Sequence, residues 1–445
     1  MKRLGIGTAT VGVAATSIGR PKYLLGDDNK LDLGEMTYRH NTSTGDKVSL
    51  LGYGMMRLPD KQSEDGNRRH GGIDQEQTNR LVDFAIEHGV NYFDTAPVYG
   101  NGKSESATGI ALSRHPRNKY FVATKLSNFG DHSAEGSKKM YHNSMEYLQV
   151  DYIDYYLLHS VGGNMDEFNS RFVDNGMLDF LMEERKAGRI RNLGFSFHGT
   201  KEGFDAVMNL HQKYHWDFVQ IQMNYLDWKN AKSQNRPNIN AEYLYNELTK
   251  RNISVVIMEP LFGGRLAKVP GDIAKVLKSH EPEKSVASWA FRFCGTWPSV
   301  LTTLSGMTYM EHLEDNLKTF CPLKPLNEEE LAMLEDLCAE MLKYHQVPCT
   351  ACRYCMPCPA GVEIPLVFSH YNKCINDKQM PLNKRDADYE EKRKAFLLGY
   401  DEKVPRLGQA DQCVDCEECL PKCPQGIQIP RKMAEITQFV NGLRN

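Results

Sequence analysis

The chain has 445 residues, of which 41% are hydrophobic and 25% are charged, and its formal net charge is −3. This composition is typical of a globular protein with material for one large domain and one small domain. The sequence has no polybasic patch, so we expect no nucleic-acid partner. The densest charged run, residues 384–394, mixes both signs and predicts a solvated surface segment.

The first residues allow two interpretations. Lys2 and Arg3 precede a weakly apolar stretch, residues 4–19, that has the shape of a short signal-peptide core. This stretch is too short and too mild for a membrane span, and we expect none. The Lys-Arg pair gives only part of a twin-arginine motif. For residues 1–45 we therefore keep two alternatives, a leader that exports the protein to the periplasm and a disordered tail of a cytoplasmic protein.

Short apolar runs alternate with helical patterns from Val48 to Phe320, which is typical of repeated strand–helix units. Eight such units in about 270 residues have the size of a TIM (β/α)8 barrel, and we predict this α/β fold for residues 46–325. A doubly wound sheet is the alternative, but Gly52 and Gly54 lack the third glycine of its phosphate loop. The predicted strands are residues 50–56, 91–95, 120–124, 153–158, 192–196, 218–222, 254–258 and 300–303, and the clearest helices are residues 75–88, 133–148, 240–251 and 307–320.

Ionisable residues lie at the ends of three consecutive predicted strands. Asp94 closes the second strand, and Tyr99 follows in its loop. Lys125 and His159 close the third and fourth strands. Each residue alone has a structural explanation, such as a helix cap for the aspartate. Because TIM barrels carry their chemistry at the C-terminal ends of the strands, the four residues together indicate a catalytic site.

A helical pattern at residues 326–345 follows the predicted barrel and leads to a cysteine-rich region. We place the domain boundary near residue 325 and expect this helix to dock the two domains on each other. Residues 326–445 are predicted to form the helix and a small, α-rich, ferredoxin-like iron–sulfur domain.

Eight of the twelve cysteines fall in two short clusters near the C-terminus. The second cluster has the spacing C-x2-C-x2-C-x3-C-P of bacterial ferredoxins, and the first has one residue fewer before its last cysteine. Three closely spaced thiolates bind one [4Fe-4S] cluster, and the fourth cysteine ligates the other cluster. The predicted ligands are Cys349, Cys352, Cys355 and Cys423 for one cluster, and Cys413, Cys416, Cys419 and Cys358 for the second.

Zinc and disulfide bonds are the alternatives for these cysteines. A four-cysteine zinc ribbon uses two separate pairs, so the third close cysteine and the proline after each cluster would be surplus. Disulfide frameworks belong to small secreted domains, whereas this chain is long enough to form a large core. The remaining four cysteines lack such spacing, and we interpret them as buried or incidental thiols. These are Cys294, Cys321, Cys338 and Cys374.

The sequence resembles the aldo-keto reductases. Residues 91–100 (NYFDTAPVYG) are similar to the aspartate and tyrosine motif of that family, residues 123–125 to its lysine strand, and residues 156–159 to its histidine strand. The resemblance covers residues 48–320. With the C-terminal cysteines, the whole chain is similar to bacterial aldo-keto reductases that are fused to a two-cluster ferredoxin domain. The resemblance implies a catalytic tetrad of Asp94, Tyr99, Lys125 and His159.

These four residue types suit the reduction of a carbonyl group. Hydride transfer builds negative charge on the carbonyl oxygen, so the site needs a proton donor and dipoles directed at that oxygen. A free tyrosine has a pKa of about 10, which a lysine cation held by a carboxylate would lower. We therefore assign Tyr99 as general acid, Lys125 as the residue that lowers its pKa, and Asp94 as the partner of Lys125. His159 would donate a hydrogen bond that orients the carbonyl.

The resemblance also implies positions that bind a nicotinamide cofactor. Ser196 and Gln220 match the residues that hold the carboxamide, and Asn316 matches an asparagine at the adenine end. Two neighbouring positions depart from the family. Phe197 stands where an asparagine is usual, and Met258 replaces the tyrosine that commonly stacks on the nicotinamide.

The choice between NAD and NADP stays open. Gly306 and His312 stand where NADP-dependent members have the lysine and arginine that bind the 2′-phosphate. The loss of both charges weakens the case for NADP, because phosphate recognition depends on such pairing.

Two functional classes remain open. In the first, the protein is an oxidoreductase that acts on a small-molecule carbonyl or alcohol with a nicotinamide, while the two clusters exchange electrons with a carrier protein. In the second, it is an electron-transfer or binding protein whose barrel has lost standard nicotinamide chemistry. The complete tetrad favours the first class, and the sequence does not identify the substrate.

Overall fold

The computed structural model describes residues 33–61, 72–162, 164–234 and 238–445. We expected a leader or tail at residues 1–45, and residues 1–32 of it lie outside the described residues. Within the described part, every helix is too short or too polar to cross a lipid bilayer.

Eight parallel strands close into a barrel in which β10 pairs with β3, and this confirms the predicted TIM fold. Two strands agree with the prediction residue for residue, and the others differ by up to three residues at an end, because periodicity locates strand ends only approximately. The strands are β3 Leu51–Gly54, β4 Tyr92–Asp94, β5 Phe121–Leu126, β6 Ile153–Val161, β7 Ile190–Phe197, β8 Phe218–Gln222, β9 Ser254–Met258 and β10 Val300–Ser305.

A small antiparallel hairpin precedes the barrel strands. It consists of β1, Tyr38–His40, and β2, Lys47–Ser49. Asn41 in its turn donates to the hydroxyl of Tyr155, 3.3 Å away, and Val48 joins the apolar core inside the barrel. The hairpin therefore covers the N-terminal ends of the strands. Its first strand, β1, lies before residue 46, where we had placed the start of the barrel.

Helices surround the barrel and continue into the C-terminal region. The helices predicted most clearly all form, and their ends lie within three residues of the prediction. The barrel helices are α1 Gln75–Glu87, α2 Ser104–Leu112, α3 Ala134–Leu148, α4 Met165–Phe168, α5 Met177–Lys186, α6 Lys201–Asn209, α7 His211–Tyr214, α8 Asp227–Gln234, α9 Ala241–Lys250, α10 Gly271–His280, α11 Val286–Thr296 and α12 Met310–Phe320. The later helices are α13 Glu328–Leu342, α14 Ile364–Asn376, α15 Tyr389–Lys403 and α16 Ile429–Arg444.

Helix α13 connects the barrel to the cysteine-rich region and packs against the barrel. Asn327 and Glu330 form a capping box at its N-terminus. The side chain of each residue accepts a hydrogen bond from the backbone N–H of the other, which stabilises the first turn. Glu330 also pairs with the buried Arg292 of α11 at 2.8 Å. The buried Cys338 donates to the backbone carbonyl of Tyr225 at 3.2 Å, which makes this thiol part of the packing.

The cysteine-rich region repeats one local structure. Residues 358–365 (CPAGVEIP) and 423–430 (CPQGIQIP) each follow a run of three cysteines and lead into a helix. Gly361 and Gly426 both have positive φ angles, 77° and 58°, which explains the glycine in each copy. The helices that follow, α14 and α16, pack with α15 in an apolar core that is separate from the core of the barrel.

Candidate functional site

The predicted tetrad comes together at the C-terminal ends of three neighbouring strands. Asp94 ends β4, Lys125 lies in β5, and His159 lies in β6. The buried ammonium of Lys125 donates to Asp94 Oδ1 at 2.6 Å and to the carbonyl of Thr95 at 2.8 Å. Tyr99 begins the turn that follows β4. The closed barrel thus assembles four residues that are up to 65 positions apart in the sequence.

Tyr99 lies between the lysine and the histidine. Its ring centroid is 5.0 Å from Lys125 Nζ and 5.9 Å from the His159 ring, which it meets edge to face. Burial nevertheless raises the pKa of Tyr99 well above its ordinary value, and the neighbouring Tyr354 and Asp94 raise it further. Our expectation that Lys125 lowers this pKa is therefore not met in the present arrangement. The cost of desolvating a tyrosinate outweighs the attraction of the lysine.

His159 is held as a neutral imidazole. Burial lowers its pKa well below the ordinary value, and the positive charges of Lys125 and Arg171 add to the effect. The hydroxyl of Ser127 lies 2.6 Å from Nδ1. When Ser127 donates this hydrogen bond, the ring proton is on Nε2, which can donate to a carbonyl oxygen.

Sequence reasoning missed Ser127 and Arg171. Arg171 is buried and donates to the backbone carbonyl of His159 at 2.6 Å, which fixes the end of β6. Ser127 directly follows β5 and lies two residues after Lys125, so the alternation of β5 continued by one residue places both side chains on the same side. That signal was available in the sequence, whereas the contact of Arg171 depends on the tertiary fold.

The three expected nicotinamide positions lie in β7, β8 and α12. Ser196 and Gln220 are buried in β7 and β8, and Asn316 in α12 donates to the hydroxyl of Ser305 at 2.8 Å. Gln220 donates to the sulfur of Met258 at 3.4 Å. Its carbonyl oxygen is buried without a hydrogen-bond partner among the described residues. This free acceptor fits the amide N–H of a nicotinamide carboxamide.

The phosphate end of the expected cofactor site carries an arginine that the sequence did not indicate. A β-carbon at Gly306 would lie 3.3 Å from Cδ of Arg57, so the arginine packs against the glycine. Arg57 donates to the backbone carbonyl of Thr350 at 2.5 Å. His312 is in contact with the ring of Tyr309 at the start of α12.

The eight clustered cysteines line two adjacent cavities that match the predicted ligand sets. One cavity is lined by the first set and the other cavity by the second set. Cys355 borders both cavities. This arrangement, with the last cysteine of each run on the opposite cavity, fits two [4Fe-4S] clusters. We call them the inner cluster (Cys349, Cys352, Cys355 and Cys423) and the outer cluster (Cys413, Cys416, Cys419 and Cys358).

The two cysteine runs have different surroundings. We call residues 349–355 the inner loop and residues 413–419 the outer loop. Burial raises the pKa of Cys349 to about 11 and that of Cys352 to about 12, so the bare inner thiols are protonated and metal binding must release those protons. Residues 414–418 of the outer loop are all exposed.

The inner loop lies on the C-terminal end of the barrel. A β-carbon at Gly263, in the turn after β9, would be 2.4 Å from Cα of Thr350. The hydroxyl of Tyr354 is 3.4 Å from His159 Nε2. Sequence reasoning missed this contact, because Tyr354 is far from the tetrad in the chain and carries no motif.

The profile of the Aldo/keto reductase family matches residues 50–339, and that of the 4Fe-4S dicluster domain matches residues 348–427. The chain belongs to the aldo/keto reductase family. It is an oxidoreductase with a C-terminal domain for two [4Fe-4S] clusters, which confirms the iron–sulfur prediction.

Curated relatives of this aldo/keto reductase match mainly its barrel. An uncharacterized oxidoreductase of Bacillus subtilis is 25% identical over 320 residues, which cover 65% of this chain and 92% of the relative. An aldo-keto reductase of Mycobacterium ulcerans is 28% identical over 261 residues, covering 56% of this chain and 79% of the relative.

Solved structures share the fold. The holo form of an aldo-keto reductase from Bacillus halodurans has a TM-score of 0.54 and 23% identity, and covers 68% of this chain and 96% of its own. An aldo-keto reductase from Klebsiella pneumoniae in complex with NADPH has a TM-score of 0.52 and 21% identity. The match covers 68% of this chain and 95% of that structure's chain.

Proposed function

We propose that this aldo/keto reductase transfers hydride reversibly between a nicotinamide cofactor and a carbonyl or alcohol substrate, and that its clusters exchange electrons with a separate carrier protein. One observation carries the proposal, the convergence of the tetrad. The Asp94–Lys125 ion pair, 2.6 Å long, lies beside Tyr99, and Tyr99 meets His159 edge to face. The site thus combines a proton donor, a buried cation and a neutral hydrogen-bond donor.

The tetrad performs the acid–base part of the reaction. A carbonyl oxygen placed between Tyr99 and His159 accepts hydrogen bonds from both, and these strengthen as negative charge develops on the oxygen. The carbonyl carbon receives a hydride, and Tyr99 gives its phenolic proton to the oxygen, so that an alcohol and a tyrosinate are formed. The cation of Lys125 stabilises this tyrosinate. Oxidation of an alcohol follows the reverse order.

The nicotinamide supplies the hydride when it is bound. Gln220 would accept from its carboxamide, Ser196 would donate to it, and Asn316 would contact the adenine end. The free carbonyl oxygen of Gln220 supports this assignment. Klebsiella pneumoniae enzymes of the same fold are described with NADPH and with NADP, which supports a nicotinamide here as well. Because Gly306 and His312 provide no lysine or arginine for a 2′-phosphate, we propose that this enzyme accepts NADH as well as NADPH.

The clusters add one-electron chemistry. Held by the eight cysteines, each cluster would take up one electron at a time, so the pair would hold two electrons, the number carried by one hydride. The outer cluster is the natural point of contact with a carrier, because the side chains around it are exposed. The exposed outer loop includes Asp415, Glu417 and Glu418, and we therefore propose a carrier with a basic contact surface.

Three measurements on anaerobically purified protein test this function. Metal analysis should find about eight irons per chain, four in each [4Fe-4S] cluster, and no stoichiometric zinc. Titration with NADH and NADPH should quench nucleotide fluorescence at one site per chain. A panel of aldehydes and ketones should reveal consumption of the reduced nucleotide. Stoichiometric zinc with little iron, or failure to bind either nucleotide, would contradict the proposal.

The second candidate is an electron-transfer or binding protein without standard nicotinamide chemistry. The observation in its favour is the inner loop, which packs on Gly263 in the turn after β9 and reaches His159 of β6 through Tyr354. The two candidates differ in one result. The second requires that the intact protein binds neither NADH nor NADPH while its clusters remain reducible.

A further inference from the structure

We propose that Tyr354, which the dicluster domain supplies, forms part of the carbonyl site and closes it, so that a substrate must displace the Tyr354 hydroxyl. This inference rests on the proposed function, because it takes Tyr99 and His159 as the groups that receive a carbonyl oxygen. It assigns a substrate-gating role to a residue outside the barrel.

The position of the Tyr354 hydroxyl is the first argument. It lies 3.4 Å from Nε2 of His159, and the same hydroxyl interacts with that of Tyr99. A carbonyl oxygen that accepts from both Tyr99 and His159 must lie within about 3 Å of each. The phenol oxygen of Tyr354 therefore stands where that oxygen would bind.

The burial of the tetrad is the second argument. With Tyr354 in this position, 8% of Tyr99 and 4% of His159 is exposed. The Tyr354 ring meets the His159 ring edge to face, with centroids 6.3 Å apart. On its other side, His159 is covered by Phe129, with ring centroids 5.1 Å apart. A substrate thus reaches the two donors when the Tyr354 side chain moves aside.

A comparison of the two cysteine loops is the third argument. Both loops have the spacing C-x2-C-x2-C, and they place positive φ angles at the same two positions. The residue before the third cysteine is Tyr354 in the inner loop and Glu418 in the outer loop. Because both loops serve clusters, cluster binding does not require an aromatic residue there. The equivalent residues with positive φ are Ala351 (52°) and Asp415 (55°), and Arg353 (67°) and Glu417 (60°).

The anchoring of the inner loop explains how one side chain can move while the loop remains in place. The carbonyl of Thr350 accepts from Arg57 at 2.5 Å, and its Cα packs on Gly263. Gln425 lies two residues after Cys423, the last ligand of the inner cluster. Its side-chain amide donates a hydrogen bond to the side chain of Gln222 in β8 at 2.9 Å. Tyr354 itself is only partly buried, so part of this residue already contacts solvent.

The test uses acetophenone, a neutral ketone, and calorimetry of the oxidised protein with both clusters and without nicotinamide. Tyr354→Phe removes the hydroxyl but keeps the ring, and Tyr354→Ala opens the site. Glu418→Ala changes the equivalent position of the outer loop and is the matched control. We expect Tyr354→Phe to bind acetophenone about five- to tenfold more tightly than the wild type, because two hydrogen bonds no longer compete. Tyr354→Ala should bind more tightly still, and Glu418→Ala should match the wild type.

Iron content checks that each variant keeps its clusters, and if Tyr354→Ala loses iron, Tyr354→Phe decides the question. Adding His159→Gln to Tyr354→Phe should cancel the gain in affinity, which locates acetophenone at the tetrad. Unchanged or weaker binding by both Tyr354 variants overturns the inference. A tenfold loss of kcat in Tyr354→Phe with unchanged affinity also overturns it, since the hydroxyl would then be a proton donor.

These readouts separate the gate from the proposed function. The calorimetric result does not depend on hydride transfer. A protein that binds acetophenone as expected but never oxidises a nicotinamide would support the gate and contradict the function.

Discussion

The inner and outer loops share one backbone design and differ in what surrounds them. The inner loop packs on Gly263 and reaches His159 through Tyr354. The outer loop exposes residues 414–418, and Val414 is 70% exposed. The cysteine spacing that a cluster requires explains the backbone that the two loops share. Contact with the barrel explains why the inner loop is covered and the outer loop is exposed. Under the proposed function, the inner cluster serves the barrel site and the outer cluster serves the carrier protein.

Removal of the outer cluster alone should produce the largest effect. In Cys413→Ser with Cys416→Ser, we expect about half of the iron to remain, because these two residues ligate only one of the two clusters. Electron exchange with a viologen dye should fall to background, while the barrel still binds nicotinamide. Loss of dye activity and nicotinamide binding together would show that the dicluster domain holds the barrel in its folded form, and would contradict separate roles for the clusters.

Tyr99→Phe should cause the next largest effect, on the barrel side of the comparison. We expect kcat for carbonyl reduction to fall by about 100- to 10,000-fold, because only the proton donor is lost. Iron content and dye-linked activity should stay at wild-type levels. Tyr147→Phe, at an exposed position of α3, is the control and should leave kcat unchanged. A wild-type kcat in Tyr99→Phe would exclude this residue as the acid.

The pH dependence of stability and of activity should reveal that His159 is neutral. Burial lowers the pKa of His159, so as the pH falls the unfolded chain takes up this proton first, near pH 6.5. His159 therefore reduces the free energy of unfolding below that pH and contributes no pH dependence above it. In activity, kcat/KM should show no step near pH 6.5 in the range from about pH 6 to 8. A step there that disappears in His159→Gln would mean that the imidazole becomes charged.

The smallest predicted effect concerns the choice of nucleotide. His312→Arg adds a cation at the start of α12, where the resemblance places the 2′-phosphate. We expect the Kd for NADPH to fall about threefold to tenfold and that for NADH to stay the same, because position 312 is exposed and solvent weakens the new charge-assisted hydrogen bond. Fluorescence titration measures both constants. Equal tightening for the two nucleotides would place the new charge at another phosphate.

The sequence predicted the parts of this molecule that depend on local patterns. Apolar alternation located all eight strands, and cysteine spacing pointed to the two cysteine runs that line the two cavities. The tetrad followed from strand ends and from motif resemblance. The contacts of Arg57, Arg171 and Tyr354 could not be predicted in this way, because they form between segments that are distant in sequence. The raised pKa of Tyr99 was also missed, since it depends on burial in the folded protein and on the neighbouring Tyr354.

The separation of the two clusters into inner and outer roles is tested most directly by electron paramagnetic resonance of the reduced protein. The protein is reduced with titanium(III) citrate, and spectra are recorded with and without acetophenone. The account predicts that acetophenone shifts the signal of the inner cluster and leaves that of the outer cluster unchanged, because displacement of Tyr354 disturbs only the inner loop. The shift should persist in Cys413→Ser with Cys416→Ser, which retains the inner cluster. An unchanged inner signal, or a shift confined to the outer cluster, would contradict the account.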